Sequence, residues 1–438
     1  MISPSKPTAT PATSEKSSAE QDTHPQEMGV EEVSKSDPIR SDRLQSSKRA
    51  PQIAVLVDTS SDWGRRLVRG VNSYAVKHGP WRLWIGTTGP GQSGRPHQLS
   101  LPTKWAGDGI IAPIDNESIG QQIAAFGCPV VNVSPEDLTT VQIPHVTSNV
   151  EAVAELSVEH FNHRGIKHFA YVGPLQIPCV RRHAGFFEQK VRAANTECHL
   201  FDCECDSIEG EMWHERRVRM LDWLRRLPKP IGIFTWRTAA AIQLLDVCHN
   251  NDIAVPDDVS VLAGDDDTLL CNTTTPTLSG IVTASEHIGF AAARKLDQML
   301  KNESGAARKT SELIDPIMVT LRQSTDSLAI TDPDLLAAVR YIRMNACRGI
   351  TVQEVADSVP IGRRSLERKF KECFGRTPLD EIQRLRLARV RELLVKTDLP
   401  ISKIAQDAGF GTPEYMTTMF KCRFGLTPLK FRSQSRAR

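Results

Sequence analysis

The decapeptide Phe370-Lys371-Glu372-Cys373-Phe374-Gly375-Arg376-Thr377-Pro378-Leu379 recurs fifty residues later as Phe420-Lys421-Cys422-Arg423-Phe424-Gly425-Leu426-Thr427-Pro428-Leu429. The residues ahead of each copy follow one grammar: a short helical pattern, a turn of small residues, then a second helix. In the first unit Thr351–Asp357 leads through Pro360 to Gly362-Arg363-Arg364-Ser365-Leu366. In the second, Ile401–Phe410 leads into Thr412-Pro413-Glu414-Tyr415-Met416. Two short helices tightly joined, with a small residue buried on the first, describe a helix-turn-helix. Two such units in one small domain place two recognition helices in successive major grooves, so the tail is expected to bind double-stranded DNA.

Charge supports this expectation. The whole chain of 438 residues carries a net charge of only +2, but residues 331–438 hold 21 basic and 12 acidic residues, so the rest is acidic. A basic module on an acidic body fits a polyanion-binding domain attached to something else. Ten cysteines are scattered without a Cys-x-x-Cys pair, so neither a zinc site nor a disulfide framework is expected. Reduced thiols imply a cytoplasmic protein. No apolar run reaches a membrane span of about 20 residues, and no secretory segment opens the chain. No membrane contact, metal or cofactor is expected.

Residues 1–50 are rich in Ser, Thr, Pro, Glu and Lys and are expected to be disordered. Beyond them short apolar runs alternate with helical patterns. The runs are Ile53–Val57, Trp81–Ile85, Gly109–Ala112, Pro129–Val133, His168–Val172, Ile231–Phe234 and Val259–Ala263; the helical patterns include Gly64–His78, Val150–His163, Met212–Leu227 and Ala239–Asn250. Such alternation predicts an α/β fold with parallel sheets. Its length predicts two lobes over 51–322, with Lys301–Thr310 a loop and Pro316–Leu321 a strand. Residues 323–332 read as a linker to an all-α domain at 333–433, in which the helix Leu379–Val395 separates the two units. Ligands bind such sheets beyond the carboxyl ends of the strands, where Asp58 and Asp265-Asp266 fall.

The tail resembles the AraC/XylS family of transcription regulators. The motifs are Ala356, Leu366-x-x-x-Phe370-Lys371, Phe374-Gly375-x-Thr377-Pro378, Ile404-Ala405…Gly409-Phe410 and Phe420-Lys421-x-x-Phe424-Gly425-x-Thr427-Pro428. The body resembles the sugar-binding domain of LacI-type regulators and periplasmic binding proteins. A closer similarity, to xylose-operon regulators, runs over about 52–433. It is carried by Asp58-Thr59-Ser60-x-x-Trp63-Gly64-Arg65, Arg69-Gly70-Val71, Gly79-Pro80-Trp81, Trp105-x-Gly107-Asp108-Gly109-Ile110-Ile111-Ala112, Arg182-x-x-Gly185-Phe186 and Asp265-Asp266. The resemblance implies a periplasmic-binding-protein-like effector domain whose closure around a small sugar alters DNA binding. It further implies a homodimer that works with RNA polymerase, most readily as an activator of pentose- or xylose-type genes. Effector contacts are expected from Asp58, Trp63, Arg65, Asn149, Arg182, Asp265 and Asp266. Two departures stand out: Trp236-Arg237-Thr238 and Thr147-Ser148-Asn149 lack carboxylates found in the family, which implies an effector other than xylose or weak xylose binding.

On the DNA side, Arg363 and Arg364 open the first recognition helix, where Arg suits bidentate contacts to guanine or phosphate. Arg368 and Lys369 lie farther along and are expected on phosphate. Thr412, Glu414 and Tyr415 open the second recognition helix, which is less basic and expected to make fewer base contacts. Leu366, Phe370 and Phe374 and their repeats read as core, with Thr377-Pro378 and Thr427-Pro428 capping and opening the following helices. Catalytic motifs are absent: the chain has no Gly-x-Ser-x-Gly, P-loop or His-Glu-x-x-His. Two rivals to a sugar-responsive regulator follow from the residues. One is a regulator of the same build whose sugar pocket is degenerate; the other is a sugar-modifying enzyme with a DNA-binding tail.

Overall fold

The computed structural model describes residues 49–86, 105–136, 140–193, 196–203, 210–301, 311–326, 328, 330 and 332–435. The segment expected to be disordered and the loop expected over Lys301–Thr310 lie almost wholly outside these residues. The first lobe is built from β1 (Gln52–Leu56), α1 (Asp62–His78), β2 (Arg82–Gly86), β3 (Gly109–Ala112), α2 (Glu117–Ala124), β4 (Val130–Asn132) and β5 (Val146–Ser148). Its parallel sheet runs β2-β1-β3-β4, and a bridge from Asn132 to His145 carries it on towards β5. Ile53–Val57 are fully buried because helices cover both faces of such a sheet, which is why the strand is an unbroken apolar run.

The second lobe contains α3 (Val150–Asn162), β6 (His168–Gly173), α4 (Pro178–Arg192), β7 (Cys198–Asp202), α5 (Gly210–Arg226), β8 (Ile231–Thr235), α6 (Thr238–His249), β9 (Val259–Ala263), α7 (Thr268–Thr273) and β10 (Ser279–Val282). The chain then returns to the first lobe through α8 (Ser285–Leu300) and β11 (Glu312–Ile314), and crosses again to end in β12 (Met318–Thr320). The second sheet has the order β12-β10-β9-β8-β6-β7, with only β12 antiparallel to its neighbour. β11 pairs with β5. The three crossings, at Asn149, Thr283-Ala284 and Asp315–Ile317, form the hinge.

Two glycines set how closely α1 and α8 approach. A Cβ on Gly70 would lie 1.9 Å from the Glu286 carbonyl oxygen, and one on Gly289 would lie 2.1 Å from that of Leu67. The helices therefore meet backbone to backbone, a contact no larger side chain permits.

The tail is all-α: α9 (Pro333–Asn345), α10 (Val352–Asp357), α11 (Arg363–Phe374), α12 (Pro378–Lys396), α13 (Ile401–Asp407), α14 (Pro413–Phe424) and α15 (Pro428–Ser435). Leu335, Val339, Val355, Leu366, Phe370 and Ile382 fill the first core; Leu387, Val390, Leu394, Ile404, Met416 and Phe420 fill the second. The 19-residue α12 supplies Ile382 to one and Leu387–Leu394 to the other. The repeated decapeptide is a helix stop and restart. Gly375 and Gly425 end α11 and α14 at φ 68° and 72°, in the left-handed region. Thr377 then caps α12, accepting a hydrogen bond from Asp380 N while the Asp380 carboxylate accepts from Thr377 N, with Pro378 in the first turn.

The expected linker 323–332 needs correction. Gln323–Thr325 form one 3-10 turn, with Ser324 and Thr325 fully buried. Ser324 Oγ donates to the Val261 carbonyl at 2.7 Å and the Ser279 and Thr325 hydroxyls meet at 2.8 Å, so these residues belong to the second lobe. Polar composition resembles a linker in sequence, but here the polar groups bond the middle of β9 and the start of β10.

Gly70→Ala should destabilise the protein by about 1–3 kcal/mol, the usual range for overpacking. Gly185→Ala, where a Cβ meets nothing within 4 Å, should hold or raise stability, since Ala exceeds Gly in helix propensity by about 1 kcal/mol. Thermal denaturation of both variants tests the pair; an equal loss in both would mean that the crossing is not the constraint.

Candidate functional site

The crevice between the lobes lies at the carboxyl ends of the strands. A pocket there of about 200 Å³, counting open solvent, is lined by Asp62, Trp63 and Arg66 from α1, Asp265–Asp267 after β9, Thr283 from a crossing and Ser285 at the start of α8. Of the residues expected to contact an effector, Trp63, Asp265 and Asp266 line it.

Each expected residue has a definite local role. Asp58 Oδ1 accepts from Ser60 N at 2.9 Å and Ser60 Oγ at 2.6 Å, folding the turn into α1. Asp265 Oδ1 accepts from Thr238 N and Thr238 Oγ1, both at 2.6 Å, and so caps α6. Burial pushes the Asp265 carboxyl up, and the Thr238 hydrogen bonds offset part of that rise. Asp266 differs from the reading of its position. Its two oxygens meet Arg322 Nη1 at 2.7 Å and Thr320 Oγ1 at 2.8 Å in a buried ion pair that ties β12 to the lobe. Asn149 caps α3 through Ala152 N and donates to Asp315 at 2.8 Å, joining two crossings of the hinge. Arg65 donates to the Thr59 carbonyl at 3.1 Å and lies 3.6 Å from Asp267 across the crevice. Arg182 also spans the lobes, donating to the Pro135 carbonyl at 3.0 Å.

Sequence reading missed Asp62, Arg66, Asp267, Thr283 and Ser285. Asp62 and Arg66 carried a signal, since they sit at i and i+4 beside Trp63, and they form an ion pair at 2.6 Å. Thr283 and Ser285 carried none, because they follow a strand too short to recognise.

On the DNA side Arg363 and Arg364 are exposed in the first turn of α11. Arg363 meets Glu367 at 2.9 Å, an exposed pair that phosphate or base can replace. Arg368, also exposed, lies 3.8 Å from Glu372. Lys369 departs from expectation: it pairs with Asp332, which caps α9, and lies 3.8 Å from Asp334. It fastens α11 to α9 instead of facing a phosphate. In the second unit Thr412 caps α14 by accepting from Tyr415 N at 3.2 Å, Glu414 is exposed, and Tyr415 Oη accepts from Gln383 of α12 at 3.3 Å. Thr412 is therefore occupied as a cap, while Glu414 and Tyr415 remain on the outer surface. His160 and His183 are buried core residues, and no cluster of metal-binding side chains occurs among the described residues.

Comparison with known proteins extends this geometry. A family model described as a periplasmic binding protein-like domain matches residues 158–325, and one described as a helix-turn-helix domain matches 355–434. The xylose operon regulatory protein of Escherichia coli K12 is 30% identical over 387 residues, covering 87% of this chain and 96% of that protein. This chain belongs to the xylose operon regulator family. The Haemophilus influenzae member is 28% identical, with 87% and 98% covered. A solved structure of a xylose-binding transcription activator aligns at TM-score 0.56 and 28% identity, over 88% of this chain and 98% of that one. A periplasmic binding protein/LacI transcriptional regulator from Alkaliphilus metalliredigens, complexed with D-xylulofuranose, aligns at TM-score 0.50 and 17% identity over 64% of this chain, a likeness of fold alone.

In this member of the xylose operon regulator family the DNA-binding domain rests on both lobes. Val395 of α12 and Phe431 of α15 pack on the first lobe's core. Arg423 reaches Glu159 of α3 at 3.5 Å, and Arg343 of α9 meets Asp326 at 3.4 Å. At the centre Glu381, 1% exposed, accepts from Arg376 at 2.8 Å and from Arg384 at 2.8 and 2.7 Å. Burial alone would raise the Glu381 carboxyl, but Arg384 and then Arg376 hold it at about 2. His163, at the end of α3, is lowered to about 2 by burial and by the same two arginines.

Both shifts are downward, so both contribute stability at neutral pH that acid removes. Loss should begin below about 6.5 as His163 protonates in the unfolded chain, and steepen below about 4.5 as Glu381 does. Glu381→Gln should cost roughly 3–5 kcal/mol at pH 7, since it leaves buried arginines uncompensated, and should flatten the acid limb of a melting-temperature profile below pH 4.5. An unchanged profile would dismiss Glu381 as the centre of the junction.

For the DNA face, Arg363→Ala and Arg364→Ala should lose roughly 1–3 kcal/mol on a duplex selected from a random pool, and less on unselected DNA. Lys369→Ala should instead lower the melting temperature and keep the sequence preference. Anisotropy titrations on both duplexes, with melting curves, decide the assignment.

Proposed function

We propose that this chain is a cytoplasmic, sugar-responsive transcription regulator that activates pentose-type genes as a homodimer working with RNA polymerase. The observation that carries the reading is the position of the double helix-turn-helix domain, seated on both lobes of a fold that places a polar pocket between them. A ligand that binds the closed arrangement better than the open one shifts the balance by that difference in affinity. Any such shift moves the two surfaces on which Phe431 and Glu381 rest, and so reaches the DNA-binding helices. Trp63 offers an apolar face to a sugar ring, Asp265 offers carboxylate oxygen to its hydroxyls, and Arg182 approaches from the second lobe. Asp58, Arg65, Asn149 and Asp266 shape the site and hinge around them.

The effector differs from xylose or binds it weakly. Thr238 and Ser148 stand where the family resemblance places carboxylates, and Thr238 takes Asp265 Oδ1 for its own cap. A thermal-shift panel of monosaccharides on the full chain tests this, since a ligand selective for the native state raises the melting point. At least one sugar should give a larger shift than xylose, and Asp265→Ala should abolish it while DNA binding without sugar persists. A panel with no shift would favour an effector-independent regulator. Turnover of a bound sugar would favour the enzyme.

A further inference from the structure

Arg216 of α5 is only 5% exposed, yet its Nε has no hydrogen-bond partner and its side chain enters no ion pair among the described residues. The guanidinium stays charged in proteins and is almost never buried unless paired. A buried charge without a partner is strongly destabilising, so Arg216 holds a hydrogen-bonding capacity that the fold pays to leave open.

The side chain lines a pocket of about 270 Å³, counting open solvent, in the groove between α5 and α6. Arg216, Arg217 and Met220 come from α5, and Gln243, Asp246 and Val247 from α6; none of the six lines the crevice pocket. On each helix the spacing is that of neighbours on one face. Met220 and Val247, each 2% exposed, give the groove buried apolar surface. Arg217 and Asp246 answer each other in an ion pair, and Asn250 also donates to Asp246 at 2.9 Å. The carboxylate of the lining is therefore engaged, and Arg216 is the cation left to meet something from outside.

We propose that the groove between α5 and α6 is a second binding site, separate from the crevice, for a small monocarboxylate. The two oxygens of a carboxylate match the fork of the Arg216 guanidinium. The Gln243 amide can donate to the same group, and a short apolar tail covers Met220 and Val247. Phosphate offers similar oxygens, but it carries more negative charge at neutral pH and has no apolar part. One unpaired guanidinium beside buried apolar surface suits the carboxylate better.

Calorimetric titration and thermal melting of the full chain, without sugar and at fixed ionic strength, test the site with butyrate, acetate, inorganic phosphate and butanol. Butyrate should bind saturably, more tightly than the other three, and raise the melting temperature. Arg216→Lys keeps the charge but loses the fork, and should bind butyrate about tenfold more weakly. Arg216→Met should bind none of the anions. Without ligand it should melt at or above the wild-type temperature, because it replaces an unpaired buried charge with an apolar stem. A Met variant that fails to fold or melts lower would make Arg216 a structural group and sink the proposal, as would full butyrate affinity in either variant. Phosphate or butanol binding as tightly as butyrate would overturn the chemical class. A wild type indifferent to every compound would mean that the chain itself answers Arg216, and the site would fall.

Discussion

The backbone contact between α1 and α8 organises the whole body. Gly70 and Gly289 remove the side chains that normally keep helices 8–10 Å apart, so two helices distant in sequence behave as one slab. The amino-terminal ends of both helices then fall at the crevice, with Asp62, Trp63 and Arg66 on one and Ser285 on the other. The same slab carries the surface on which Val395 and Phe431 rest. The crevice pocket and the seat of the DNA-binding domain therefore share one rigid element, and a pair of glycines maintains it.

Much of this was readable in sequence because the physics was local. The strands named from apolar runs are found within a residue or two, since a strand covered on both faces must be apolar throughout. The repeated decapeptide announced two units because its glycine, threonine and proline each answer a backbone requirement at a helix end. β5, β7, β10 and β11 were not legible. β5 and β11 are three residues long, β10 is four with a glycine, and β7 is an edge strand of mixed polarity.

Pairings across long sequence separations were the other blind spot. Asp266 looked like a ligand group beside Asp265, but its partner Arg322 is 56 residues away. Lys369 read as a phosphate contact because α11 is basic, and only the fold brings Asp332 against it. Charge on a helix reports which residues want partners, not which partners they find. The buried group around Glu381 makes the same point: Arg376 and Arg384 sit in the basic tail, yet both are committed to one carboxylate inside the protein. The basic excess of the tail overstates what is free to meet phosphate.

The inequality of the two helix-turn-helix units has a consequence for how the protein lies on its target. One unit opens with two exposed arginines; the other presents a glutamate and a tyrosine around a threonine held as a cap. A symmetric pair of identical readers matches a palindrome and has no preferred heading. A single chain with unlike readers has a front and a back, so its site is polar and its reversal is a different sequence. Each chain then lies on the stretch it reads with a fixed heading, and turning that stretch around would turn the chain with it.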